Sequence, residues 1–169
     1  LPTFGAEPRL GANPMSLAAP AGGEAPLLMD VSASLPIANK VQLLREAGLP
    51  VPGGWISDPS GTPIMEPVPA PVPGSYYHLP LGSTREMGSH KGYALSLIPE
   101  VLATLLSGAQ PAMQMLHNGM KGYFAAYDIS KFTDLEQFKS NMDSMLRTLR
   151  ETRPAPGHDR VLYPGLLEY

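Results

Sequence analysis

At 169 residues, 43% of them apolar and 16% charged, the chain has room for one domain with a real core and a small appendage, and its composition excludes a disordered protein. The net charge of −3, with acids and bases interspersed, excludes the basic footprint of a nucleic-acid binder, so an anionic ligand would need a local positive group. With no cysteine, disulfides, zinc–thiolate sites and a cysteine nucleophile are all excluded.

Leu1–Pro20 carries loop punctuation at Gly5, Pro8, Gly11, Asn13 and Pro14, with a short strand expected at Met15–Ala19. Ala21-Gly22-Gly23 reads as a turn, and Pro26–Val31 as a buried strand with Asp30 at its end. Ser34 is a candidate N-cap for a helix reaching about Ala47, with Pro36 in its first turn, where a missing N–H costs little. Ile37, Val41, Leu44 and Ala47 form its buried stripe, and Gly48 then Pro50 stop it. Pro52–Gly74 is the weakest region for regular structure. Asp58-Pro59-Ser60-Gly61 is turn chemistry, and the prolines at 63, 67, 69, 71 and 73 force an extended path, so residues 63–74 read as a Pro-rich surface loop. The other possibility there is a ligand for a proline-recognising domain.

Tyr93–Leu106 is mostly apolar and predicts a buried helix that Gly108 ends. Lys121–Tyr127 alternates small and aromatic residues and predicts a strand closed by Asp128. The strongest helix signal is Asp134–Arg150. Thr133 and Glu136 form a Thr-x-x-Glu capping box there, and Leu135, Phe138, Met142, Met145, Leu146 and Leu149 recur at helical spacing. Arg147 and Arg150 complement its C-terminal end. Arg153–Gly157 is a rigid turn leading into a short strand at Arg160–Tyr163. Alternating strands and helices place the chain in the mixed α/β class.

No basic start followed by an apolar core opens the chain, and the apolar stretch Tyr93–Ser107 is interrupted by Pro99 and Glu100. The cytoplasm is the expected compartment, with no membrane and no nucleic-acid partner. Leu1 is not Met, and Leu1-Pro2-Thr3-Phe4 has neither a cap nor a tail composition, so an N-terminal portion is expected to precede it.

The Rossmann Gly-x-Gly-x-x-Gly, the phosphate loop and the Gly-x-Ser-x-Gly elbow are all missing. His78, His90, His117 and His158 are scattered without a metal-ligand spacing, so no metal is expected. What remains is a glycine-flanked cation opening a helix, Gly88-Ser89-His90-Lys91-Gly92-Tyr93. A helix start presents free N–H groups and partial positive charge, and Lys91 and His90 add to it, which suits a pyrophosphate or carboxylate. Gly88 and Gly92 would let such a ligand approach the backbone. A solvated lysine near a helix start is the plainer alternative. Asp30, followed by Ser32 and Ser34, is placed either to accept ribose hydroxyls or to cap the next helix.

Taken together these segments resemble the malate/L-lactate dehydrogenase family of the non-Rossmann type, which includes ureidoglycolate and sulfolactate dehydrogenases and an imino-acid reductase. Gly11-Ala12-Asn13-Pro14 resembles the family's Gly-Thr-Asn-Pro, and Leu28-Met29-Asp30-Val31-Ser32-Ala33-Ser34 is similar to its Leu-Asp-Met-Ala-Thr-Ser region, with Lys40 on the lysine that follows. Pro52-Gly53-Gly54-Trp55 through Asp58-Pro59-Ser60-Gly61, and Leu79-Pro80-Leu81-Gly82 leading into His90-Lys91-Gly92-Tyr93, fall in family order. Pro154-Ala155-Pro156-Gly157 and Tyr163-Pro164-Gly165 resemble its C-terminal signature. Ser89 stands where the family has Gly, Ala94 where it has the Gly after Tyr93, Pro99 interrupts a helix usually continuous, and Val68–Pro73 looks like an addition.

The resemblance implies an α/β fold with a non-Rossmann mixed sheet flanked by helices, as in L-sulfolactate dehydrogenase-like proteins, and a homodimer. It implies an NAD(P)-dependent oxidoreductase of small 2-hydroxy or 2-oxo acids of the malate, lactate, ureidoglycolate or sulfolactate type. Residues 1–169 would be the cofactor-binding domain and C-terminal segment of a longer dehydrogenase. Asp30, Val31, Ser32, Lys91, Gly165, Leu166 and Leu167 would contact NAD or NADP, with Asn13 and His90 counted beside them. The family's catalytic His lies in a segment that would precede Leu1, so no catalytic residue is assigned here. The alternative is a non-catalytic relative acting as a binding or scaffolding subunit, motivated by that segment and by Ser89 and Ala94. A third reading is an interaction module built on the Pro-rich loop.

Overall fold

The computed structural model describes residues 1–115 and 119–167. The chain divides into two compact units, one of Leu1–Pro14 with Ser32–Tyr123 and one of Met15–Val31 with Phe124–Tyr169.

In the first unit, helix α1 (Ala38–Glu46) turns a single fully buried residue, Val41, onto Val51 and Ile56, both 0% exposed. Leu44, Trp55, Ile64, Val68, Ala70 and Tyr76 pack around this nucleus. The expected Ser34 cap is corrected: Ile37 occupies the N-cap with extended backbone, and the Ser34 hydroxyl donates to the Pro36 carbonyl instead. Ile37 is left 47% exposed and Ala47 is exposed, so the buried stripe is narrower than predicted. Gly48, at φ +65, ends the helix as read.

The region expected to be irregular pairs. Strands β3 (Pro50–Val51) and β5 (Val68–Pro69) form one antiparallel pair, and β4 (Ile56–Ser57) and β6 (Tyr77–His78) another. Part of the Pro-rich stretch is therefore an edge strand, a position that proline tolerates. Asp58 builds the predicted turn, its carboxylate accepting from the N–H groups of Ser60 and Thr62 at 2.9 Å each.

Helix α2 (Ser89–Pro99) runs into a π-helical stretch, Glu100–Leu105. Pro99 offers no N–H, and from there the pairing widens to five residues, with Leu106 donating to Val101 at 2.9 Å and Ala109 to Thr104 at 3.3 Å. The predicted burial of this helix is not seen: Leu97, Ile98, Val101 and Leu106 are 37–69% exposed. Glu100 is its buried anchor, accepting from the Ala112 N–H at 2.7 Å.

In the second unit, β1 (Met15–Ala19) and β2 (Leu27–Val31) form an antiparallel hairpin from Met15↔Val31 to Ala19↔Leu27. Its strands are half exposed rather than buried. Helix α3 (Leu135–Glu151) buries Met142 and Leu146 against Tyr163, with Ala19, Ala21, Leu27, Phe138 and Leu166 around them. The cap is Asp134, accepting from Gln137 N–H at 2.8 Å, in place of the predicted Thr133; Glu136 pairs with Lys139.

Three two-stranded antiparallel sheets replace the expected mixed sheet among the described residues. Lys121–Tyr127 and Arg160–Tyr163 are likewise not strands. A strand exists only through a hydrogen-bonded neighbour, and neither segment has one among the described residues. Phe124 and Tyr127 are 95% and 72% exposed, while Tyr163 contributes to the core without pairing.

Candidate functional site

Three of the sequence blocks singled out meet inside the first unit. Ala33 N–H donates to the Ala12 carbonyl at 3.0 Å and Leu81 N–H to the Ala33 carbonyl at 3.0 Å. The Asn13 side-chain amide donates to the Ser96 carbonyl on α2 at 2.7 Å. Asn13 itself sits at φ +44, a conformation asparagine tolerates better than most residues. Its amide N–H is thus occupied by structure, holding the Gly11–Pro14 segment to the helix.

A cleft of about 370 Å³ opens where these blocks meet, walled by Gly11, Ala12, Ala33, Ser34, Ser96 and the aromatic residues 76–78. Tyr76 and His78 share one face of the strand-forming segment, their rings 5.5 Å apart and tilted by 46°. Burial, and secondarily the Leu1 ammonium, holds the His78 imidazole below the usual histidine range, so it is neutral at pH 7. His78 is a residue that sequence reasoning passed over. Its only signal was the i, i+2 spacing with Tyr76 just ahead of Leu79-Pro80.

The first turn of α2 starts at Gly88, φ +100, with no side chain capping it. Ser89 N–H donates to Thr84 and Lys91 N–H to Gly88, so the attraction of this turn for anions rests on its cations more than on free N–H groups. Lys91 is exposed and has no ion-pair partner among the described residues. His90 is exposed too, its Nδ1 2.8 Å from Arg85 Nη1. Three basic side chains thus surround one helix start.

Gly92 has a different role from the predicted one. A Cβ there would lie 2.3 Å from the Leu81 carbonyl oxygen, so its missing side chain serves the packing of α2 on the preceding loop rather than ligand approach. Ser89 is buried and shares a hydrogen bond of 3.0 Å with Thr3, so its added bulk is absorbed inside the unit. Ala94 is exposed. A second cleft, of about 360 Å³, lies beside Ser60, Thr62, Ser83, Arg85 and Ser89. Ser83, at φ +53, carries a buried hydroxyl without a partner.

Ser32 also belongs to the first unit, where its hydroxyl donates to the Ser34 carbonyl at 2.9 Å. Asp30, Val31, Gly165, Leu166 and Leu167 belong to the second. Asp30 is exposed and accepts only from the Ser16 hydroxyl, at 3.0 Å; it caps no helix. Gly165, at φ +92, passes so close to β2 that a Cβ would stand 2.9 Å from the Leu28 nitrogen. Leu166 is half-buried in the core and Leu167 is 63% exposed. Among the described residues no group of three acidic or histidine side chains could hold a metal ion, and no helix is long and apolar enough to cross a membrane. His117 lies outside the described residues.

The sequence profile described as malate/L-lactate dehydrogenase matches residues 1–169. A malate dehydrogenase of Pyrococcus abyssi is 35% identical over 170 residues, covering 97% of this chain and 46% of the relative. An L-lactate dehydrogenase of Cupriavidus necator is 34% identical over 176 residues, covering 99% and 48%. The crystal structure of malate dehydrogenase from Entamoeba histolytica superposes with a TM-score of 0.79 at 32% identity, over 99% of this chain and 50% of that one. The chain spans about half the length of the relatives it matches. Matched along its whole length by the profile and by relatives above 30% identity, the chain belongs to the malate/L-lactate dehydrogenase family.

Proposed function

We propose that this chain is the cofactor-binding portion of an NAD(P)-dependent oxidoreductase that acts on small 2-hydroxy or 2-oxo acids. The observation that carries the proposal is the meeting of the Gly11–Pro14, Ser32–Ser34 and α2 segments around one cleft, with an unpaired Lys91 on the first turn of the same helix. Relatives named malate and L-lactate dehydrogenase support the substrate class.

The donor set fits a nicotinamide dinucleotide. In the first unit, Lys91 and His90 are cations suited to its phosphates, and Ser32 and Asn13 lie on the segments bordering the cleft. In the second, Asp30 is an exposed carboxylate suited to ribose hydroxyls, while Val31, Leu166 and Leu167 offer apolar contact beside the Gly165 turn. When bound, the nicotinamide group supplies or accepts the hydride. The chain's own residues bind and orient, and none is assigned the proton transfer. The mixed, non-Rossmann sheet and the homodimer belong to this proposal, as does the view of residues 1–169 as one part of a longer dehydrogenase.

Fluorescence titration with NADH and NADPH tests the reading. Lys91→Ala is expected to weaken binding about tenfold, the scale of one charge-assisted phosphate contact. Unchanged affinity would remove Lys91 from the site, and no binding of either dinucleotide by the unaltered protein would remove the cofactor reading itself.

A further inference from the structure

We infer that the cleft of the first unit seats a flat, uncharged heteroaromatic ring, one of the two ring ends of a nicotinamide dinucleotide, against Tyr77 and His78. The inference rests on the cofactor reading above and says which part of such a ligand this cleft takes.

The lining decides between the parts. No Lys, Arg, Asp or Glu side chain borders the cleft, so it offers nothing to a phosphate or a carboxylate. Its two serines are already committed, Ser34 donating to the Pro36 carbonyl at 2.8 Å and Ser96 to the Tyr93 carbonyl at 2.6 Å. What it does offer is aromatic surface on one side, from Tyr76, Tyr77 and His78, and a wall of small residues on the other, at Gly11, Ala12 and Ala33. A volume of about 370 Å³ admits a one- or two-ring heterocycle with part of its ribose.

His78 supplies the polar handle. Neither of its ring nitrogens has a hydrogen-bond partner among the described residues, and the half-buried ring faces the cleft with Tyr76 tilted beside it. A neutral imidazole can donate through one nitrogen and accept through the other, which matches the amide or amino edge of either ring. Stacking on such surfaces discriminates little between rings, so adenine and reduced nicotinamide share this chemistry. The cleft is also continuous with residues already implicated, since Ala12 precedes Asn13 and Ala33 follows Ser32 in its wall.

The test uses AMP and reduced nicotinamide mononucleotide as separate probes, read by calorimetry and by the NMR resonance of the His78 ring. One of the two is expected to shift that resonance, and which one identifies the end that enters. Ala38→Trp places an indole at the cleft from an exposed position at the start of α1 and is expected to weaken that probe at least roughly tenfold while leaving the melting temperature unchanged. His78→Leu, as a second variant, is expected to cost about fivefold. If neither mononucleotide moves His78, or if both variants bind as the parent does, the inference fails. NADH titration separates the two levels. Equal NADH binding by parent and Ala38→Trp overturns the cleft assignment and leaves the cofactor reading standing. A mononucleotide that binds at His78, in a protein binding neither NADH nor NADPH, overturns the cofactor reading and leaves the cleft assignment.

Discussion

At Gly22-Gly23-Glu24, in the second unit, three consecutive N–H groups converge on the Asp143 carboxylate at 2.9, 2.8 and 3.0 Å, whereas α2, in the first, starts at Gly88 with no side-chain acceptor. Both are glycine turns that favour negative charge. In one the protein supplies the anion itself, from α3, and Glu24 goes on to bind Arg150 at 2.5 and 3.0 Å. In the other the protein adds Arg85, His90 and Lys91 and no internal anion to match them. A self-satisfied turn is a structural joint. A turn whose positive charge is left unmatched is one whose partner is expected from outside.

The comparison can be broken most decisively at Gly92, because the α2 start must stay packed to remain a site. Gly92→Ala drives a methyl to 2.3 Å from the Leu81 carbonyl oxygen. The expected cost is about 2–4 kcal/mol in chemical denaturation, together with loss of NADH binding. A variant of parental stability would mean that this junction yields freely.

The Asp143 joint is expected to give less, and with a pH signature. The N–H groups of Gly23 and then Glu24 hold its carboxyl below the usual carboxylate range. A depressed folded value means that the stabilisation is complete above the ordinary carboxylate pKa of about 3.9 and is lost as pH falls through the folded value. Asp143→Asn should therefore lower the melting midpoint by a few degrees at neutral pH and flatten the acid side of the stability profile, with NADH affinity unchanged. Loss of NADH affinity would show that the two turns do not have the separate roles described.

The smallest expected effect concerns the start of α3. Asp134→Ala should cost about 1 kcal/mol and Thr133→Ala nearly nothing. The reverse order would restore the capping box that the sequence suggested.

That cap illustrates how far local pattern carries. The α3 stripe of Met142 and Leu146, the hairpin at Met15–Val31 and the glycine stops at Gly48 and Gly157 were legible because each depends on residues a few positions apart. The pairs β3–β5 and β4–β6 were not, since two-residue strands have no periodicity to read. Lys121–Tyr127 shows the converse, an alternating pattern with no neighbour to pair with among the described residues. The cleft was invisible because its walls come from segments far apart in the chain, and His78 reaches it from a stretch that matched no motif. Family-like residues such as Asn13, Asp30 and Lys91 were found by their order along the chain. Their partners, Ser96 for Asn13 and Ser16 for Asp30, needed the fold.

The π-helical stretch after Pro99 sets a phase. An ordinary helix advances by roughly 100° per residue, and the five-residue pairing at Val101–Leu106 accommodates one residue more than an α-turn would. Removing that residue would let regular four-residue pairing return, and everything beyond would swing by roughly that same angle relative to α2. The spacing between Ser89 and Gly108 is therefore a rotational setting, and a one-residue insertion or deletion there would re-aim Glu100 away from the Ala112 N–H it now holds.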